Sequence, residues 1–140
     1  MHVIVTTDPV IIDQLTVDID LAPAVDWLDK GPWTVLAAIS EGIPVAGALL
    51  VEPGKRGLPE VHIVVPKAHR GPTTVTAFEL FRQWIVAHRP NLEGVWAYSD
   101  DPRTIRFART MGFKVVDVDN DETWMFFELR KDSPCLGSQQ

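Results

Sequence analysis

Residues 60–99 contain the pattern that most restricts this chain. A β-branched run, EVHIVVP (60–66), is followed by an amphipathic stretch, TTVTAFELFRQWIVAHRP (73–90), and a second β-type run, GVWAYS (94–99). In the middle stretch Val75, Phe78, Phe81 and Ile85, with Ala77 and Trp84 beside them, recur at spacings of 3, 4 and 7, which predicts a helix. Thr73 is placed to cap its start, and Pro90 closes its end. The first run is apolar on both faces near its end, as a central strand should be. Two strands joined through a helix of this length pair in parallel, with a right-handed crossover.

The remaining elements fall on either side of that unit. HVIVT (2–6) has strand composition, and DPVIIDQLTVDID (8–20) opens with Asp8-Pro9, a helix-start signal. Residues 21–32 read as irregular, with one helical turn near Asp26 to Leu28. TVLAAIS (34–40) and PVAGALLVE (44–52) flank a turn at Glu41-Gly42-Ile43 and form a hairpin. PGKRGLP (53–59) is a loop. DPRTIRFARTMG (101–112) carries helix marks at both ends: Asp101 as cap, Pro102 in the first turn and Gly112 as the stop. FKVVDVD (113–119) and ETWMFFELR (122–130) make a last hairpin. The order β, α, β, β, β, α, β, α, β, β predicts a mixed α/β domain of the α+β type, with antiparallel hairpins early and late and helical crossovers in the middle. One domain over 1–130 is expected, with the tail 131–140 disordered.

Composition narrows the function classes. The net charge of −6 argues against broad nucleic-acid binding and against an anionic membrane surface. Within that acidic background Lys67, His69 and Arg70 form a local basic group. No apolar run approaches the roughly 18 residues of a membrane span, and the first residues lack the pattern of a secretory signal. The one cysteine, Cys135, allows no internal disulfide, and a reducing cytoplasm fits best. His69 and His88 have no ligand-spaced partners, so no metal site is expected.

The stretch IVVPKAHRGPTTV (63–75) is a strand, a short basic loop and a helix start. That arrangement turns successive backbone N–H groups into one concavity at a helix N-terminus, where the dipole favours a pyrophosphate. Pro72 removes one donor, while the amides of Gly71, Thr73, Thr74 and Val75 remain. The hydroxyls of Thr73 and Thr74 add donors and Arg70 adds charge. The plainer alternative is a capped helix start.

VPKAHRG (65–71) resembles the acyl-CoA loop that the GNAT N-acetyltransferase superfamily writes V-x-P-x-x-R-G-x-G-x-G/A. IRFARTMGFKVV (105–116) resembles the same superfamily's helix-to-strand junction, aliphatic-Tyr-x-x-aliphatic-Gly-Phe. The order of elements agrees over about residues 2–130. The sequence departs at Thr73 and Val75, where the pattern has small residues, and at Ala108, where it has tyrosine.

The resemblance implies a mostly antiparallel sheet with a splayed parallel pair, 60–66 and 94–99. It implies acetyl-CoA or another acyl-CoA as co-substrate, held by the backbone of Ile63, Val64 and Val65 and by Arg70, Gly71, Thr73, Thr74 and Val75. An amine of a small molecule or protein then attacks the acyl carbon directly, with a homodimer among the expected assemblies. Alternation puts Glu60, His62 and Val64 on one strand face, Glu60 and His62 about 7 Å apart. They are candidates for the base that deprotonates the incoming amine, and Tyr98, the single tyrosine, is the candidate acid for the departing thiolate. Asp101 reads as a helix cap, and Trp27 and Trp33 lie in the segment that walls the acceptor pocket in the superfamily. Two other readings stay open: a GNAT-like binding or assembly module without catalysis, and a nucleotide-binding enzyme, for which no phosphate-loop motif is present.

Overall fold

The computed structural model describes residues 1–28 and 31–129. In chain order the elements are β1 (His2–Val5), α1 (Pro9–Leu15), α2 (Ala24–Trp27), β2 (Trp33–Ser40), β3 (Ile43–Val51), β4 (Glu60–Val64), α3 (Pro72–His88), β5 (Gly94–Ser99), α4 (Pro102–Thr110), β6 (Lys114–Asp119) and β7 (Glu122–Glu128). The seven strands form one sheet in the order β1-β2-β3-β4-β5-β7-β6. Every neighbouring pair is antiparallel except β4 and β5, which run parallel and are joined through α3. This is the mixed, mostly antiparallel sheet with flanking helices that the resemblance implies.

The two tight hairpins follow from their turn residues. Glu41 and Gly42 have φ of 51° and 77°, and Asn120 and Asp121 have φ of 52° and 68°. Positive φ at both central positions gives a turn whose twist matches the strands it joins.

Strand alternation sends side chains to two faces. On one, Leu36, Ala48, Val61, Val95 and Phe127 pack under Phe78, Phe81 and Ile85 of α3. On the other, Ile12, Leu15 and Ala24 of α1 and α2 cover Val35, Ala37, Leu49 and Val64. Each fully buried aliphatic side chain contributes about 1.5–3 kcal/mol. The α1–α2 layer packs on the β1–β4 half. The same face of β5 and β7 carries Trp96, Tyr98, Trp124 and Phe126.

Three boundaries differ from the sequence reading. The helix expected over 8–20 ends at Leu15. The Thr16 hydroxyl donates back to the Ile12 carbonyl, and beyond it Val17 and Ile19 are 68% and 43% exposed, with no core to hold a further turn. The strand expected over 60–66 ends at Val64, because Pro66 has no N–H to continue the ladder. Helix α3 starts at Pro72 and ends at His88, so Gly71, not Thr73, is its N-cap residue. Val75, expected on the buried stripe of this helix, is 50% exposed in the first turn. The tail 131–140, expected to be disordered, and Cys135 lie outside the described residues.

Candidate active site

The site begins where two strands stop pairing. β3 and β4 stay in register from Gly47 opposite Val64 to Val51 opposite Glu60. β4 and β5 share one register pair, Glu60 opposite Trp96, supported by the Trp96 N–H donating to the Pro59 carbonyl at 2.9 Å. Past that point the parallel strands part, leaving backbone groups of β4 and β5 facing each other without a ladder. On the α3 side the gap holds a small apolar void bordered by Val61, Ile63, Val95 and Phe78. Both strands lead into helices at their open ends, α3 after β4 and α4 after β5. Ligands of open parallel pairs collect at such carboxyl-end crevices.

The basic loop sits at that end. Gly71 has φ of 139° and ψ of −149°, a conformation open essentially to glycine alone, and it turns the chain into α3 without a side-chain cap. The Gly71 N–H reaches only the Thr74 hydroxyl, at 3.4 Å, and the Thr74 N–H donates to the Gly71 carbonyl at 3.0 Å. The Thr73 amide has no partner among the described residues. Arg70 folds back, its Nε donating to the Val65 carbonyl at 3.1 Å. Neither Arg70 nor Lys67 has an ion-pair partner among the described residues. The Lys67 N–H is taken by the Asp18 carboxylate at 2.6 Å, which ties the α1–α2 connection to the loop. A helix N-terminus without a side-chain cap on its first residue, the free Thr73 amide and unpaired cations are donors of the kind a pyrophosphate needs. The residues present therefore fit an acyl-CoA, with Thr73 and Val75 where the superfamily pattern has small residues. Ile63 and Val65 turn toward α3, while the Val64 side chain is buried on the other face and leaves only its backbone at the gap.

Across the gap from β4, the structure brings three of the sequence candidates together. The rings of His62 and Tyr98 are 5.5 Å apart with planes at 87°. Glu60, one step back on the same face of β4, acts electrostatically on both. Burial holds His62 below its ordinary 6.5 and Glu60 opposes that, so the imidazole is neutral at neutral pH. Tyr98 is raised above its ordinary 10.0, first by burial, then by the carboxylates of Glu60 and Glu122, so its hydroxyl stays protonated. A neutral imidazole beside a protonated phenol is a base and an acid within one cleft.

The pair belongs to a row of rings. Trp27 lies 4.8 Å from Trp33, and Trp33 lies 6.1 Å from His62. On the far side Tyr98 lies 4.7 Å from Trp124, and Trp96 lies 6.3 Å from Trp124. Over those last two sits Lys55, from a 3₁₀ turn at Lys55–Gly57, its ammonium 4.1 Å from the Trp124 ring centre.

Asp101 caps α4: its carboxylate accepts from the Arg103 N–H at 3.1 Å and from the Thr104 hydroxyl at 3.1 Å. The first of these bonds, then the second, holds it below the usual carboxylate range. Ala108, where the superfamily pattern has tyrosine, packs half-buried against the α3-side core. Sequence reasoning did not single out Lys55, Arg56 or Asp18, whose contacts depend on how distant segments fold together. It also passed over Arg103, Arg106 and Arg109, which α4 presents to solvent near the open end of the gap. Their recurrence every three residues was the available signal.

No protein-family model matches this sequence, and no curated protein matches it. Solved structures do. A chimera built on spermidine N-acetyltransferase from Vibrio cholerae superposes with a TM-score of 0.75 at 12% identity, over 94% of this chain and 98% of that one. An aminoglycoside 6'-acetyltransferase of type Ii gives 0.68 at 15% identity, over 92% and 97%. A putative streptothricin acetyltransferase from Bacillus anthracis, solved in complex with acetyl coenzyme A, gives 0.58 at 16% identity, over 80% and 70%. The fold is that of the GNAT acetyltransferases.

Proposed function

We propose that this chain, built on the GNAT fold, is an acyl-CoA-dependent N-acyltransferase that moves an acetyl or short acyl group to an amine by direct attack. The observation that carries this reading is the meeting of His62 and Tyr98 across the parted strands, beside an uncapped basic helix start. Acetyl-CoA supplies an activated thioester, whose acyl carbon gains a bond to the amine nitrogen and loses its bond to sulfur.

The residues of the chain do the rest. The amides of Gly71 and Thr73 and the Thr74 hydroxyl, with Arg70, hold the pyrophosphate. The unpaired backbone of Ile63 to Val65 fixes the pantetheine arm and orients the carbonyl. His62, neutral because it is buried, takes a proton from the ammonium so that the amine can attack. Glu60 favours the imidazolium that results. Tyr98, kept protonated by its surroundings, gives its proton to the departing thiolate. We place this activity in one domain over residues 1–130, in a reducing cytoplasm, with a homodimer as the working assembly.

The test is release of CoA thiol when acetyl-CoA is mixed with primary amines. The reading expects amine-dependent release that Tyr98→Phe and His62→Ala each reduce. Release at the no-protein rate with every amine would contradict it. A second reading, a GNAT-like binding module, is favoured by Thr73, Val75 and Ala108 standing where the pattern has small residues and tyrosine. It expects no release and no effect of Arg70→Ala on whatever the protein binds.

A further inference from the structure

The turn at Lys55–Gly57 places two cations on the acceptor side of this cleft. The Lys55 ammonium lies 4.1 Å from the Trp124 ring centre and 5.9 Å from that of Trp96. The Arg56 guanidinium lies 5.5 Å from the Trp96 ring centre. Stacking on an indole fixes the position of a charged head and leaves its N–H donors pointing outward.

Among the described residues, ion pairs join Arg82 to Glu79 and Arg89 to Glu52, and Lys55 and Arg56 have none. A third donor lies beside them. Trp96 is 4% exposed, and its Nε1–H has no hydrogen bond among the described residues. A buried donor left without an acceptor is uncommon, and a ligand atom is one way to satisfy it.

The backbone holds this cluster in place. Arg56 has φ of 55°, a left-handed conformation uncommon for a non-glycine residue. Gly54 presses on the start of β4, where an added Cβ would stand 2.7 Å from the Glu60 amide nitrogen. The cationic turn is thereby anchored to the residue that begins the catalytic strand.

The charges share one aromatic face. The carboxylate of Glu60 acts on His62 and Tyr98, and that of Glu122 on Tyr98. Lys55 and Arg56 lie on Trp124 and Trp96. Tyr98 and the Lys55 ammonium both pack against Trp124, at 4.7 and 4.1 Å, so this indole stands between the phenol and the ammonium.

We infer that Lys55 and Arg56, with the indole Nε1–H of Trp96, form a carboxylate subsite, so the acceptor is an amine that also carries an anionic group several bonds away, of the amino-acid class. The inference rests on the acetyltransferase reading above. The substrate's ammonium lies toward Glu60, His62 and Tyr98, its aliphatic middle on Trp124, and its carboxylate on the two cations. A polyamine, cationic at both ends, would meet repulsion at this second end.

Matched amines that differ by one carboxylate test this. The pairs are L-lysine with cadaverine and ε-aminocaproate with pentylamine, each assayed for CoA thiol release with wild type and with the Lys55→Met/Arg56→Gln double variant. Wild type is expected to use the carboxylate-bearing member of each pair better by roughly tenfold to a hundredfold in kcat/KM, mainly through KM. The double variant is expected to bring the ratio close to one, with an unchanged thermal unfolding midpoint. Equal or better use of cadaverine and pentylamine by wild type would overturn the inference while leaving the acetyltransferase reading intact, as would a preference that survives in the double variant. If none of the four amines is acetylated, tryptophan fluorescence decides the subsite alone. Saturable quenching by ε-aminocaproate but not by pentylamine, lost in the double variant, supports it, and no such difference overturns it.

Discussion

His62 and Tyr98 face each other across a gap in the sheet, their rings 5.5 Å apart and nearly perpendicular. They sit on neighbouring parallel strands that share one register pair, Glu60 and Trp96, each two residues beyond it. Burial acts on both and in opposite senses, lowering the histidine and raising the tyrosine. Each is thereby kept in the neutral form that its proposed role requires.

His62 should set the acid limb of the pH profile. Because burial lowers its pKa, the half-point of kcat/KM is expected below 6.5. Glu60 raises it, so Glu60→Gln is expected to move that half-point further down. The same shift carries a stability term. A buried histidine that resists protonation contributes fully above its ordinary 6.5 and loses that contribution as pH falls through its lower folded value. Thermal unfolding between neutral and mildly acidic pH, compared with His62→Gln, checks the sign. His62→Ala should lower kcat by about 10²–10⁴.

Tyr98 should set the alkaline limb, above its ordinary 10.0. Removing one of the carboxylates that raise it, by Glu122→Gln, should bring that limb down. Tyr98→Phe removes the proton without removing the ring that packs on Trp124. It is expected to lower kcat by about 10²-fold, with less effect when the leaving thiolate needs no proton. An unchanged kcat in Tyr98→Phe would assign the acid elsewhere.

The loop makes its own prediction. Gly71→Ala forces a side chain into backbone at φ 139°, and the local amides should lose their common direction. Arg70→Ala removes a guanidinium that has no carboxylate partner among the described residues. Each is expected to weaken acetyl-CoA binding by about tenfold, the arginine variant also flattening the dependence on salt. Calorimetric titration at two ionic strengths measures both effects.

Gly94 tests packing away from the chemistry. A Cβ at this position would overlap the Phe127 carbonyl oxygen and the Phe126 ring at the start of β5. Backbone on one side and an indole-packed ring on the other leave little room to yield, since Phe126 lies 4.9 Å from Trp96. Gly94→Ala is expected to destabilise the fold by about 1–3 kcal/mol in chemical denaturation.

What the sequence made legible was local. The apolar recurrence along 73–90, between two β-type runs, determined the parallel pair and its crossover. Glu41-Gly42 and the Asn120 turn marked both tight hairpins, and Asp101 announced the cap it forms. Alternation along β4 was enough to put Glu60 and His62 on one face. What stayed hidden depends on distance in the chain. The Asp18 carboxylate, just past the end of the early helix, accepts from the Lys67 amide, a bond between residues 49 apart. Lys55 lies on Trp124 only because β7 inserts between β5 and β6, an order that adjacency in sequence does not suggest. The glycine at 71 was legible as a loop residue, but its role as the N-cap in place of Thr73 appears only with its φ.

The central claim is that the parted strands and the loop at 65–75 hold an acyl-CoA. Titration of acetyl-CoA into the wild-type protein, followed by calorimetry, tests it most directly. The account predicts one saturable site per chain, with a dissociation constant of roughly micromolar to tens of micromolar and a clear loss in Arg70→Ala. No heat of binding at millimolar acetyl-CoA would contradict it.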